Sequence, residues 1–283
     1  RTPRRREPLR VSRRRMAAEA DAPSVTGDEL LSAKGSALIK HLQTLTEELT
    51  NIEQTEEHGI LQSCAEALGH NKLVRHKDPA VRLLTACCLS DVLRIYAPDT
   101  PFSREQLKVV FELFVSQLAG IRDPHGPSYV RYYYLLERLA MVKSFVLMID
   151  LKCDDLIRSL FEVLFSSASK DHSIRVEDHL TDILVSMLED LDIISQPIID
   201  AILENLVEPA KTEKPAAYAL ARRVLQRCTT ELHDPLYHFL QSCLPSAVVP
   251  VIESDLRDEW PQLVLEVTSA SPELVQYLLP QLT

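Results

Sequence analysis

Cys87 and Cys88 stand side by side, with His76 a short way upstream, and a thiol near an imidazole is the raw material of nucleophilic catalysis. The pair falls in the middle of an expected helix, on the face meant for the core, where free cysteine behaves as a small inert hydrophobe. His172 and His179, with Glu177 and Asp178 between them, supply metal-ligand types. On a helix, however, a spacing of seven separates the two imidazoles by about 10.5 Å along the axis, too far for one ion. They read as surface polar residues. The acidic run Glu189-Asp190-Leu191-Asp192 reads as a solvated helix end. No nucleophile, base and oxyanion donor converge, so the sequence points away from an enzyme, a metal or a cofactor.

Two other groups suit recognition rather than reaction. Tyr132, Tyr133 and Tyr134 are consecutive, so on a helix they point about 100° apart and cannot all enter one core. At least one must face a partner or a neighbouring helix, and packing between repeats is the simpler assignment. The segment Tyr96-Ala97-Pro98-Asp99-Thr100-Pro101-Phe102 stands out most. Pro98 and Pro101 fix φ and remove two backbone donors, leaving a stiff turn rich in carbonyl acceptors. Asp99 adds a carboxylate able to take a serine hydroxyl or a bidentate arginine, and Tyr96 and Phe102 flank it. Such a loop suits a short peptide carrying an aromatic and a basic residue. Pro-Asp is also an ordinary helix-to-helix turn.

The elements that must carry this loop are helical. Six glycines occur among 283 residues, the last at Gly126, leaving over half the chain without the residue that tight hairpins and phosphate loops need. From Leu38 onward apolar residues recur at helical spacing. Asp78-Pro79 combines an N-cap with proline at the first helical position, and the helix it opens carries Val81, Leu84, Cys88, Val92 and Ile95 on one stripe. Ser103 and Gln106 form a capping box for the next helix, whose stripe is Leu107, Val110, Phe111, Phe114, Leu118 and Ile121. Further starts are expected near Ser128, Asp154, Ser173, Ser195, Glu213, Asp234 and Ser271. The six cysteines are scattered without CxxC spacing and read as core residues in a reducing compartment. No apolar run approaches the roughly 18 residues of a membrane span.

Charge divides the chain unevenly. Residues 1–15 hold eight Arg and one Glu, while the remainder holds 23 Lys and Arg against 40 Asp and Glu. An acidic body repels phosphate backbones, which argues against direct nucleic-acid binding. Residues 1–26 are expected to be a disordered basic segment. Met16-Ala17-Ala18-Glu19-Ala20 has the look of a translation start, so residues 1–15 are read as lying outside the natural protein, with a transit peptide or a nuclear-localisation patch as the other readings.

Lys77-Asp78-Pro79-Ala80-Val81-Arg82 recurs as Lys170-Asp171-His172-Ser173-Ile174-Arg175, with looser copies at Val130-Arg131 and Ala221-Arg222. Setting positions 81, 130, 174 and 221 in register gives spacings of 49, 44 and 47 residues, near the roughly 40 to 47 of a HEAT or armadillo unit. The expected fold is therefore an all-α HEAT/armadillo-like repeat solenoid over residues 27–283, truncated at its C-terminal end. In it Asp78 and Asp171 would cap helices, the aliphatic residue would enter the core, and Arg82, Arg131, Arg175 and Arg222 would form a structural polar ladder with the aspartates of neighbouring units.

The run from Lys77 to Phe102 resembles the sister-chromatid cohesion proteins called precocious dissociation of sisters, and Met148-Ile149-Asp150-Leu151-Lys152-Cys153-Asp154 is similar to them too. The likeness extends over roughly Leu73 to Gln281. It implies the N-terminal part of a longer nuclear HEAT-repeat regulator of cohesin, non-catalytic, bound to the kleisin subunit and to chromatin only indirectly. It also implies that an Ala-Pro-Asp-Ala-Pro loop takes Tyr-Ser-Arg or Phe-Gly-Phe motifs from a Wapl-like release factor and, in animals, from sororin. Ala97, Pro98, Asp99 and Pro101 match that loop, and Thr100 replaces its second alanine, where the added hydroxyl and methyl are expected to narrow the groove. The competing reading is a generic HEAT adaptor of a transport or phosphatase assembly.

Overall fold

The computed structural model describes residues 23–54, 59, 61–243 and 251–274. Residues 1–22, the greater part of the expected basic segment, lie outside the described residues. Every regular element among the described residues is helical, as the all-α reading required. The chain divides into two compact units, and the division falls between Val110 and Phe111.

The first unit contains helices α1 (Gly27–Ser32), α2 (Gly35–Asn51), α3 (Gln62–Leu68), α4 (Asn71–Val74) and α5 (Pro79–Tyr96). α1 opens on a full capping box, in which Thr26 and Glu29 satisfy each other's backbone N–H groups. Val25, just before it, is buried and its carbonyl accepts from the Cys64 thiol at 3.1 Å, so packed structure begins slightly earlier than residue 27. α5 is the centre of the unit, in contact with α2, α3 and α4. The single stripe read from sequence understates it. Leu83, Ala86, Cys87, Leu89, Ser90 and Leu93 on its other faces are buried as well, because small residues at 86, 87 and 90 let neighbours approach on every side.

At α5's start Asp78 Oδ1 accepts from the Ala80 N–H at 2.8 Å, with Pro79 in the first turn. α6 (Arg104–Leu118) follows the loop and opens on the expected box, with Ser103 N–H donating to Gln106 Oε1 at 2.9 Å and Gln106 N–H to Ser103 Oγ at 3.3 Å.

Beyond α6, a single turn at Ala119–Arg122 precedes α7 (Tyr129–Val142), then α8 (Leu147–Asp150), α9 (Asp154–Ser167), α10 (Ile174–Asp190), α11 (Gln196–Leu203), α12 (Ala210–Glu213), α13 (Pro215–Arg227), α14 (Thr229–Cys243) and α15 (Trp260–Ala270). Helices stack like on like in the second unit. α7, α10, α13 and α15 touch in succession as one layer, and α9, α11 and α14 touch in succession as the other. This is the two-layer arrangement of helical-pair repeats, in which each unit buries an apolar face it could not bury alone. A cluster of Phe111, Phe114 and Phe145, with ring centroids 5.9 to 6.4 Å apart, closes the core at its first pair.

One expected helix start is corrected. Asp234-Pro235 does not begin a helix; Pro235 lies inside α14. The buried stripe Leu232, Leu236, Phe239 and Leu240 runs straight through it, and that packing outweighs the one lost backbone bond.

Candidate functional site

The loop joining α5 to α6 rests on a buried aromatic base. Tyr96 and Phe102 are each only 6% exposed, so they form the floor of the loop rather than open edges as the sequence suggested. Burial raises the Tyr96 hydroxyl above its ordinary pKa, reinforced by Cys64 and Glu66 nearby. The Phe102 ring lies against Gly69. A Cβ at that glycine would sit 2.9 Å from Phe102 Cε1, so only glycine admits the ring at this depth. Above this floor Pro98 and Asp99 are exposed, and Ala97, Thr100 and Pro101 are partly exposed. The Ala97-Pro98 peptide bond is cis.

Side chains hold the loop at both ends. The Gln54 side-chain amide donates to the Ala97 carbonyl. Thr100 Oγ1 accepts from the Phe102 N–H at 3.3 Å, so its hydroxyl is turned into the loop's own backbone. Arg94, near the end of α5, donates to the carbonyls of Leu49 and Ile52 at 2.8 and 2.9 Å and to Asp91 at 3.0 Å. The Ile52 carbonyl lies just past the end of α2, and the Leu49 carbonyl in its last turn also accepts from the Ile52 N–H at 3.2 Å. The last turn of α5 is thereby locked to the strand of chain that carries Gln54. Neither Arg94 nor Gln54 was singled out from the sequence; the i,i+3 spacing of Arg94 from Asp91 is the one local signal that could have found it. Gln54 carried no signal, because its acceptor lies 43 residues away.

The expected polar ladder takes another form. Asp78 caps α5, but Arg82 turns back to the carbonyls of His76 and Lys77 at 2.8 and 3.1 Å. Asp171 is exposed and caps nothing; α10 begins from Ser173. Ile174 and Val130, set in register with buried Val81, are 61% and 77% exposed. The helix begins at a different residue of the aligned segment in each unit, so equal spacing in sequence does not give equal facing. Arg175 lies beside the Tyr133 hydroxyl, and Arg131 sits half-buried at the start of α7. Arg222 reaches Glu266 at 3.4 Å and the Ser269 carbonyl at 3.1 Å. The contacts between α13 and α10 run through the next residue round, with Arg223 on Glu177 and Asp178 and Arg227 on Asp182.

The remaining chemical candidates are absorbed by packing. Cys87 and Cys88 are buried, and burial pushes the Cys88 thiol far up. Cys64 is raised to about 11 and Cys228 to about 12 for the same reason. His76 Nδ1 accepts from the Asp78 N–H. His172 is not a surface residue: it is 8% exposed, its Nε2 lies 2.8 Å from the Ile121 carbonyl, and its ring stacks on Tyr129. The Tyr132 ring fills the space over Gly120, Tyr133 donates to Glu137 and lies against His179, and Tyr134 is covered by the Arg138 guanidinium at 5.0 Å. Among the described residues no group of three or more metal-ligating side chains is assembled, and no helix is long and apolar enough to cross a membrane.

Comparison with known proteins places this geometry. The family model described as sister chromatid cohesion protein PDS5 matches residues 36–283. The chain is 32% identical over 249 residues to PDS5 homolog B-B of Xenopus laevis, covering 87% of this chain and 17% of that protein. It is 36% identical over 211 residues to PDS5 homolog A of Danio rerio, covering 74% and 16%. It therefore spans under a fifth of the length of these relatives. A solved structure of the Pds5-Scc1 complex superposes with a TM-score of 0.73 at 25% identity, over 86% of this chain and 39% of that one.

Proposed function

The chain belongs to the sister chromatid cohesion protein PDS5 family, and from that membership we propose that it is the HEAT-repeat part of a non-catalytic scaffold that regulates cohesin on chromatin in the nucleus. In this reading the scaffold binds the kleisin subunit, and the superposition on a Pds5-Scc1 structure supports that partner. The loop from Ala97 to Phe102 receives short motifs of a Wapl-like release factor, and of a sororin-like protection factor in organisms that have one. Factors with similar motifs exchange at one loop, so occupancy rather than chemistry sets the outcome.

The observation that carries this reading is the exposed Pro98-Asp99 turn held over a buried Tyr96-Phe102 floor. Pro98 and Pro101 donate no backbone hydrogen bond, so the loop offers carbonyls and one carboxylate to an incoming serine hydroxyl or arginine. The aromatic side chain of a docked motif would lie on the proline rings and not beside Tyr96 or Phe102, which are already covered. Affinity purification of the chain from nuclear extract tests the assignment. Kleisin and the other cohesin subunits should dominate the captured proteins; capture of transport or phosphatase components without cohesin would support the generic-adaptor reading instead.

A further inference from the structure

Resting on the docking-loop reading above, we propose that Gln54 is a positioning residue, whose amide fixes the entrance of the loop by holding the Ala97 carbonyl while Thr100 fixes its exit. The loop leaves α5 at Ala97, where the backbone turns from helical to φ −54°, ψ 139°. From there to Phe102 two of the residues are prolines, which give no N–H with which the segment might bond to itself. Its order must come from side chains, one reaching in from outside and one of its own. The Gln54 amide serves the first carbonyl beyond the helix, and the Thr100 hydroxyl serves the Phe102 N–H at 3.3 Å.

Gln54 is itself held in place. Arg94 ties the Leu49 and Ile52 carbonyls to α5, so the residues just before Gln54 are fixed to the same helix that launches the loop. On the other side the Phe102 ring is seated against Gly69, and the Ser103–Gln106 box starts α6 at once. Two consequences follow for a docked peptide. It meets a loop already in one conformation and so avoids the cost of ordering it on binding. It also finds one lone pair of the Ala97 carbonyl already taken, which favours the Asp99 carboxylate and the later carbonyls as its acceptors. Thr100 thus braces the loop from within through its hydroxyl.

The test compares the chain with its Gln54→Met, Thr100→Ala and Asp99→Lys variants by two readouts. The first is anisotropy of a labelled peptide carrying Tyr-Ser-Arg. Gln54→Met keeps the length of the side chain and removes the donor, so affinity should fall about fivefold, the value of one hydrogen bond of about 1 kcal/mol. The slope of affinity against salt should match that of the wild type, because no charge has changed, and the melting temperature should be unaltered. Combining Gln54→Met with Thr100→Ala should weaken binding further. The second readout needs no peptide: hydrogen exchange at the Phe102 amide, the one bonded to Thr100 Oγ1, should accelerate severalfold in Gln54→Met. If the wild type binds, Asp99→Lys abolishes binding and Gln54→Met binds as the wild type does, the positioning role is wrong while the docking site stands. If the wild type fails to bind but exchange accelerates, the brace stands and the docking reading falls. Unchanged exchange in Gln54→Met overturns the brace in either case.

Discussion

Replacing Arg94 by methionine removes the guanidinium that joins α5 to the end of α2 while keeping most of the aliphatic stem. The side chain makes three bonds in place, to Asp91 at 3.0 Å and to the carbonyls of Leu49 and Ile52 at 2.8 and 2.9 Å. Its side chain is 20% exposed and that of Asp91 fully buried, so this pair is not screened as a surface pair would be. Removing one member of a buried pair typically costs about 3–5 kcal/mol, most of it from the charge left behind. Partial exposure of Arg94 places the expected loss near the lower end, about 3 kcal/mol, measured by urea unfolding of the chain with a probe in the first unit. The origin of the loss is separable. If it comes chiefly from the carboxylate left without its arginine, Asp91→Leu with Arg94→Met should recover about half of it. A single-variant loss below about 1 kcal/mol, or a double variant less stable than Arg94→Met, would refute the assignment of Arg94, paired with buried Asp91 within α5, as the joint to the end of α2.

Three further perturbations bear on the second unit. A Cβ at Gly120 would lie 2.2 Å from Tyr132 Cζ, so Gly120→Ala should cost about 1–3 kcal/mol in unfolding experiments, relieved by Tyr132→Ala but not by Tyr132→Phe, which keeps the ring. Arg223→Ala and Arg227→Ala break ion pairs whose basic and acidic side chains are all 34–50% exposed, and each should cost at most about 1 kcal/mol, shrinking further in high salt. Burial alone would raise the Glu266 carboxyl, but the bonds from Lys211 at 2.5 Å and Tyr218 at 2.7 Å, with the charges of Lys211 and Arg222, outweigh it and hold the group below its ordinary value of 4.5. A depressed carboxyl contributes stability that is full above 4.5 and is lost as pH falls through the folded-state value, so Glu266→Gln should flatten the acid limb of the stability–pH curve.

What could be read from the sequence was whatever is decided within a turn of helix. Asp78-Pro79 and Ser103 with Gln106 announced two helix starts because a cap oxygen and the N–H that donates to it lie two or three residues apart. The same Asp-Pro signal misled at Asp234-Pro235, where the buried stripe of α14 overrides it. The repeat was legible in its period and misleading in its register. Val81 is buried while Ile174 and Val130 point outward, since the helix begins at a different residue in each copy. His172 was misassigned because the Ile121 carbonyl that satisfies it lies 51 residues away. At the loop, residue types revealed stiffness and acceptors, but the burial of Tyr96 and Phe102 and the reach of Gln54 depend on α2 and α3 lying alongside, which no local pattern encodes.

On the proposed function, the exposed turn at Pro98 and Asp99 is where short motifs of other proteins dock. Titration calorimetry of a Tyr-Ser-Arg peptide against the chain and its Asp99→Lys variant addresses it directly. A bidentate arginine contact to a carboxylate is worth more than the roughly 1 kcal/mol of a rim charge, so Asp99→Lys should weaken binding more than fivefold with helical content unchanged. Equal affinity in the two proteins, with both folded, would contradict the claim.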